Sequence, residues 1–256
     1  MNQAEKRMVL IQALLKERGE SGYRVPADPE EQKQLLRGLM NVRLPKAADD
    51  EFLRIQDEYL RGELAAKGVT DIRDLTQVEE GIYRWQGDIT TLRCGAIVNA
   101  ANSGMTGCYV PCHRCIDNAV HTFAGVQLRH TCGEMMKKQG YEEPTGTAKI
   151  TPAYNLPCDY VIHTVGPIVG YRLTKQDEEL LVSCYRSCLK LADENGVGSI
   201  AFCCISTGEF HFPNGRAAEL AVQTVREYKK ETDSNIEVIF NVFKDIDYKL
   251  YRQLLG

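Results

Sequence analysis

The chain has 256 residues, 43% of them hydrophobic and 26% charged, which is enough apolar mass for a sizeable core under an ordinary solvated surface. A net charge of −4 argues against a protein whose main task is gripping a nucleic-acid backbone. No stretch is apolar over the length that a bilayer span needs, which argues against a membrane protein.

In chain order, the opening MNQAEKRMVLIQALLKERG is charged throughout and its apolar run is short, unlike a secretory leader. The expectation is a cytoplasmic protein whose ten cysteines are reduced thiols, most of them small core residues and a minority ligands. Met8, Ile11, Leu14 and Leu15 recur at helical spacing, and Gly19 provides a stop. Asp28-Pro29-Glu30-Glu31 places an N-cap acid, a proline at the first helical position and a carboxylate at the third. Leu35, Leu36, Leu39 and Met40 form the apolar face of that helix. A third helix begins near Asp49–Asp50, with Phe52, Ile55, Tyr59 and Leu60 on one side. Residues 1–80 therefore read as a helical N-terminal extension, and no catalytic pattern appears in them.

From Gly81 the pattern changes. Short apolar runs predict strands at Ile82–Trp85, Ala96–Asn99, Ala148–Thr151, Tyr160–Thr164, Ile200–Ile205 and Ile236–Val242. Helices are predicted from about Asn118 to Lys138, Glu178 to Asn195, Asn214 to Lys230 and Asp245 to Leu255. Strands alternating with helices imply an α/β domain over residues 81–256, its sheet covered on both faces and its chemistry in loops beyond the carboxyl ends of strands.

Three constellations carry chemistry. Cys108-Tyr-Val-Pro-Cys112-His113-Arg-Cys115 gathers three thiols and an imidazole within eight residues, a donor set suited to zinc. By spacing alone, metal binding and thiols that merely line a loop are equally compatible with it. No second pair follows at zinc-finger spacing, so a metal here would fit an open catalytic site better than a structural knot. Ile205-Ser-Thr-Gly-Glu-Phe210 leaves a strand and precedes a helix, so its backbone N–H groups could approach a phosphate; an ordinary strand-to-helix turn reads the same way. Gly87-Asp88-Ile89-Thr90 follows a strand, where the carboxylate could accept from an exocyclic amine or cap a turn.

The combination and order of these motifs resemble the macrodomain family. The matching features are Gly87-Asp88-Ile89-Thr90, the Ala96-Ile-Val-Asn-Ala-Ala-Asn102 strand and loop, His163-Thr-Val-Gly-Pro167 and the Ile205–Phe210 loop. Gly107-Cys108-x-x-Pro111-x-His113-x-Cys115-Ile-Asp117 resembles the signature of a bacterial zinc-dependent branch, as does the helical extension. The resemblance implies a three-layer α/β/α macrodomain with a central mixed sheet, binding ADP-ribose. It implies zinc (Zn2+) held by Cys108, His113 and Cys115, and it puts Asp88 and Ile89 at the adenine. Asn102 falls at the distal ribose, with Cys115, Ile116 and Asp117 close to the ligand. Ser206, Thr207, Gly208, Glu209 and Phe210 wrap the diphosphate and distal ribose, and Asn241 and Phe243 lie toward the adenine. Cys112 is an additional thiol that the pattern does not require. His121 reads as a packing or supporting residue and His163 as a satisfied core histidine.

The implied reaction is zinc-dependent hydrolysis of ADP-ribose from mono-ADP-ribosylated proteins, with Asn102 positioning the ribose and Asp117 as base or, alternatively, helix N-cap. A hydrolase of free ADP-ribose esters would keep the whole pocket. A non-enzymatic reader of ADP-ribosylated proteins would keep the pocket but would not need an open metal site.

Overall fold

The computed structural model of the chain describes residues 1–256. Three helices open it. α1 (Gln3–Glu17) starts at a reciprocal capping box between Asn2 and Glu5. α2 (Pro29–Val42) starts on Asp28, whose carboxylate accepts from the N–H groups of Glu30 and Glu31, and α3 (Asp50–Lys67) on Asp49. Their apolar faces meet in one small core that includes Leu10, Ile11, Leu36, Leu39, Ile55 and Tyr59. Val126, from the main domain, completes that core, so the extension is seated on the domain rather than tethered to it.

The helical reading fails over the end of the 1–80 segment. β1 (Thr70–Asp71) and β2 (Gln77–Glu79) follow α3, and β2 pairs antiparallel with β3 (Ile82–Gln86). The main sheet thus begins just before Gly81. Strands of two or three residues are too short to show a period, so no pattern revealed them.

β4 (Leu92–Arg93) pairs with β1, and β5 (Ala96–Ala101) leads into the long loop that carries the cysteines. Next come α4 (Ile116–Ala124) and α5 (Val126–Gln139), where the sequence predicts one helix over Asn118–Lys138. They part at Gly125, whose φ of +101° no helix accommodates. There the Val126 N–H donates to Gln56 Oε1 of α3 at 2.9 Å. The remaining elements are β6 (Ala148–Pro152), β7 (Tyr160–Val165), α6 (Lys175–Glu194), β8 (Ser199–Phe202), α7 (Asn214–Thr232), β9 (Glu237–Val242) and α8 (Asp245–Leu255). β8 stops at Phe202, so Cys203, Cys204 and Ile205 open the following loop rather than end a strand.

The sheet has seven strands in the order β2-β3-β9-β8-β5-β7-β6. It is mixed: β2 and β6 pair antiparallel at the edges, and the five strands between them are parallel. All four residues of β8 are buried, as expected for a strand covered on both faces by helices. The fold is a macrodomain-type α/β architecture carrying N-terminal helices.

Candidate active site

Because β3, β9, β8, β5 and β7 run parallel, their carboxyl ends open along one edge of the sheet, the edge where such sheets bind ligands. Each predicted site residue follows or ends one of these strands. Asp88 and Ile89 come after β3, Asn102 to Asp117 after β5, Ser206 to Phe210 after β8, and Asn241 and Phe243 lie at the end of β9.

Asp88 spends one oxygen on its own turn. Its Oδ1 accepts from the Thr90 N–H at 3.0 Å and the Thr90 hydroxyl at 2.6 Å, capping a single 3-10 turn. Oδ2 remains available, 3.6 Å from Lys67 Nζ at the end of α3. The Ile89 side chain is in the main core, so only its backbone can meet a ligand. Asn241 braces this turn from β9, donating from Nδ2 to the Gly87 carbonyl at 3.0 Å, and Phe243 stands exposed after the strand.

After β5 the chain folds back on Asn102. Its Oδ1 accepts from the Gly104 N–H at 3.0 Å, and its Nδ2 donates to Gly107 O at 3.2 Å and Asp117 Oδ2 at 3.1 Å. Asp117 Oδ1 accepts from Asn99 Nδ2 at 2.9 Å, so two asparagines clamp the carboxylate. Burial pushes Asp117 up to about 6, opposed by the Asn99 bond, the Arg129 guanidinium and the Asn102 bond. The N-cap of α4 is Cys115, whose Sγ accepts from the Asn118 N–H at 3.4 Å; Asp117 lies inside the first turn. Ile116 is half-buried against the main core.

Cys108, His113 and Cys115 converge. Their ligating atoms all lie within 4.8 Å of one another on half-buried side chains. Cys108 Sγ is 3.7 Å from His113 Nδ1, close to the roughly 3.5 Å between neighbouring donors around a tetrahedral zinc. Burial, and then the neighbouring Cys108 sulfur, raise the Cys115 thiol; a cation between the sulfurs would relieve both effects. The donor set therefore fits zinc. Cys112 does not join it. It turns away with φ +56°, directs its Sγ to Gln34 O of α2 at 3.3 Å, and donates its N–H to Asn41 Oδ1 at 2.9 Å.

The loop after β8 offers amides. The Thr207 N–H bonds Cys204 O, the His211 N–H bonds Gly208 O and the Phe212 N–H bonds Ser206 O, which folds the loop. The N–H groups of Ser206, Gly208, Glu209 and Phe210 donate to nothing within the chain. With the uncapped first turn of α7 nearby, they form an edge suited to an anion. Gly166, in the Gly-Pro step after β7, lets this loop approach: a β-carbon there would overlap the Ser206 hydroxyl.

Beneath the site a second cluster, His121, Cys132 and His163, is wholly buried. His163 is saturated, with Asn99 Nδ2 at 3.1 Å from Nδ1 and Thr151 Oγ1 at 2.9 Å from Nε2. Asn99 must donate to Nδ1, so the ring is neutral with its proton on Nε2. His121 Nε2 lies 3.6 Å from Asp117 Oδ1, and neither of its ring nitrogens makes a hydrogen bond.

The sequence reading left four residues at this site without a role. Asn99 clamps Asp117. Arg37 Nη2 of α2 donates to His113 O at 2.9 Å and Asn118 Oδ1 at 2.8 Å. Asn41 Nδ2 reaches Thr122 Oγ1 at 2.9 Å. Lys67 faces Asp88 and lies 3.5 Å from the centroid of the Phe123 ring.

The pattern of the Macro domain family matches residues 98–221. The chain is 57% identical to the Protein-ADP-ribose hydrolase of Treponema medium, covering all of both chains. It belongs to the macro domain family. A second relative, the Protein-ADP-ribose hydrolase of Staphylococcus aureus, is 50% identical over 95% of this chain and 92% of its own. Among solved structures, the Trypanosoma brucei macrodomain in complex with ADP-ribose superimposes with a TM-score of 0.66 at 29% identity. That match covers 90% of this chain and 97% of the other. In this macro domain the family match begins inside β5, and both the braced cysteine loop and the amide-lined loop after β8 fall within it.

Proposed function

We propose that this macro domain is a zinc-dependent, cytoplasmic protein-ADP-ribose hydrolase that removes ADP-ribose from mono-ADP-ribosylated proteins. The observation that carries the reading is one juxtaposition. The Cys108–His113–Cys115 donor set stands beside the clamped Asn102–Asp117 pair, with His113 Nε2 3.7 Å from the carboxylate of Glu209 on the amide-lined loop. The names and coverage of the two hydrolase relatives support it.

In this reading the adenine amine donates to Asp88 Oδ2, the oxygen its own turn leaves free, and Asn241 keeps that turn in place. The amides of Ser206 to Phe210 receive the diphosphate. Asn102 and Asp117 hold the distal ribose, with Cys115 and Ile116 alongside. Asp117, buried and raised to about 6, can take up a proton near neutral pH while its two asparagine partners fix its direction. Zinc held by Cys108, His113 and Cys115 would supply orientation of the ribose and polarisation of the leaving oxygen.

The test is release of ADP-ribose from proteins modified on different side chains, with and without a zinc chelator, alongside elemental analysis. One zinc per chain and chelator-sensitive release from protein are expected. Full release from a zinc-free preparation would overturn the metal dependence. Turnover of free ADP-ribose esters without release from protein would overturn the substrate.

A further inference from the structure

Glu209 is an acid in a loop whose free amides suit an anion. A carboxylate there repels a diphosphate unless something draws its charge aside. The structure offers one partner. Glu209 Oε1 lies 3.7 Å from His113 Nε2, and this is the only ion pair or hydrogen bond the side chain approaches. The opposite ring nitrogen, Nδ1, faces Cys108 Sγ at 3.7 Å. The imidazole therefore stands between the thiols and the carboxylate, one nitrogen toward each.

We infer that Glu209 is a positioning residue for the metal centre: its carboxylate accepts the His113 Nε2–H, holds Nδ1 toward the two sulfurs, and ties the metal loop to the anion-facing loop. The inference rests on the zinc reading proposed above. Metal-bound imidazoles characteristically donate their second N–H to a carboxylate or carbonyl, which fixes tautomer and ring direction and makes the ligand nitrogen more basic. Here the separation exceeds a hydrogen bond, and a torsional adjustment of the exposed Glu209 side chain closes it. The backbone around Glu209 is fixed enough for the contact to matter. The Phe212 N–H holds Ser206 O at 3.0 Å, and Phe210 O receives the Val169 N–H at 2.9 Å. With that backbone held, engaging His113 draws the Glu209 charge aside from the amides of Gly208 and Phe210. Zinc occupancy and ADP-ribose affinity become linked through one side chain, and linkage of this kind is reciprocal.

The experiment measures zinc affinity by chelator competition for the parent, Glu209→Ala and Glu209→Gln. Calorimetry then gives the ADP-ribose affinity of each, zinc-loaded and zinc-stripped. Glu209→Ala should weaken zinc binding about 10-fold or more, and Glu209→Gln, which keeps an acceptor, less. Stripping zinc should weaken ADP-ribose binding in the parent, and that dependence should shrink in Glu209→Ala. Equal zinc affinity in parent and Glu209→Ala, with unchanged unfolding curves, overturns the inference alone. So does tighter ADP-ribose binding by Glu209→Ala at unaltered zinc affinity, since Glu209 would then only repel the diphosphate. A parent that takes up no zinc overturns the metal reading, and this inference falls with it.

Discussion

In the proposed reading Asp88 does two jobs with two oxygens, and substitution can separate them. Replacing it by asparagine keeps one oxygen for the Thr90 cap and puts an amide where Oδ2 would meet the incoming amine. Asp88→Asn should therefore unfold like the parent but bind ADP-ribose roughly 10-fold more weakly. Asp88→Ala should lose about 1 kcal/mol of stability as well, because the cap goes too. In both variants the rate from the bound state should hold, since the adenine end is remote from the scissile bond. Calorimetry with single-turnover kinetics checks this; unchanged affinity in Asp88→Asn would leave the carboxylate as a turn cap only. His163 gives a second prediction. Burial lowers it to about 4, so between that value and its ordinary 6.5 the unfolded chain binds the extra proton and stability falls as pH falls. His121 is lowered in the same sense. Asp117, raised from 3.8 to about 6, works the other way and favours folding as pH drops through that window. Two imidazoles against one carboxyl leave a net loss of stability between pH 7 and pH 5. Denaturant unfolding at the two pH values measures it, and His163→Gln should flatten the slope.

At the scale of elements, the helical extension is a brace. Arg37 and Asn41, one turn apart on α2, hold His113 O, Asn118, the Cys112 N–H and the Thr122 hydroxyl. Asn41→Ala strands the Cys112 amide and takes one partner from the Thr122 hydroxyl, which still donates to Asn118 O at 2.7 Å. It should cost roughly 1–3 kcal/mol and loosen zinc, measured by unfolding and by chelator competition. Undiminished zinc affinity at the lowered stability would show that the brace supports the fold and not the metal. None of this was legible in the sequence, because Arg37 and Asn41 meet partners more than seventy residues away and polar residues on a helix face read as solvated surface. What periodicity could show was the existence of the long helices and the alternation of strands. It could not show the break at Gly125, which depends on Gln56 reaching in from α3, or the short strands β1, β2 and β4. The Cys108–His113–Cys115 cluster was legible because its members are close in sequence. The exclusion of Cys112 was not, since it follows from a left-handed backbone and a carbonyl on α2.

At the scale of the whole molecule, the site is assembled from loops after five parallel strands, and its two ends depend on different parts of the chain. In the proposed reading the adenine end rests on β3 and β9, through Asp88 and Asn241. The proposed metal end rests on the loop after β5, held by α2 and met by the Glu209 side chain of the loop after β8. Loss of the metal ligand should therefore not abolish binding. In His113→Ala the Asp88 turn keeps its cap, the Ser206–Phe210 loop keeps its internal hydrogen bonds, and Asn102 still bonds Asp117. What goes is the third donor beside the two sulfurs and the partner of Glu209. Hydrolysis should fall to background, while ADP-ribose affinity drops by about 10-fold rather than vanishing, the scale of one lost charge-assisted contact. Affinity and turnover measured on the same folded variant decide the matter. Binding lost together with turnover would make the metal a clamp on the whole loop, and hydrolysis at the parent rate would remove His113 from the reaction. The expected split, binding weakened and chemistry gone, follows if recognition and reaction are carried by opposite ends of one sheet edge, as proposed.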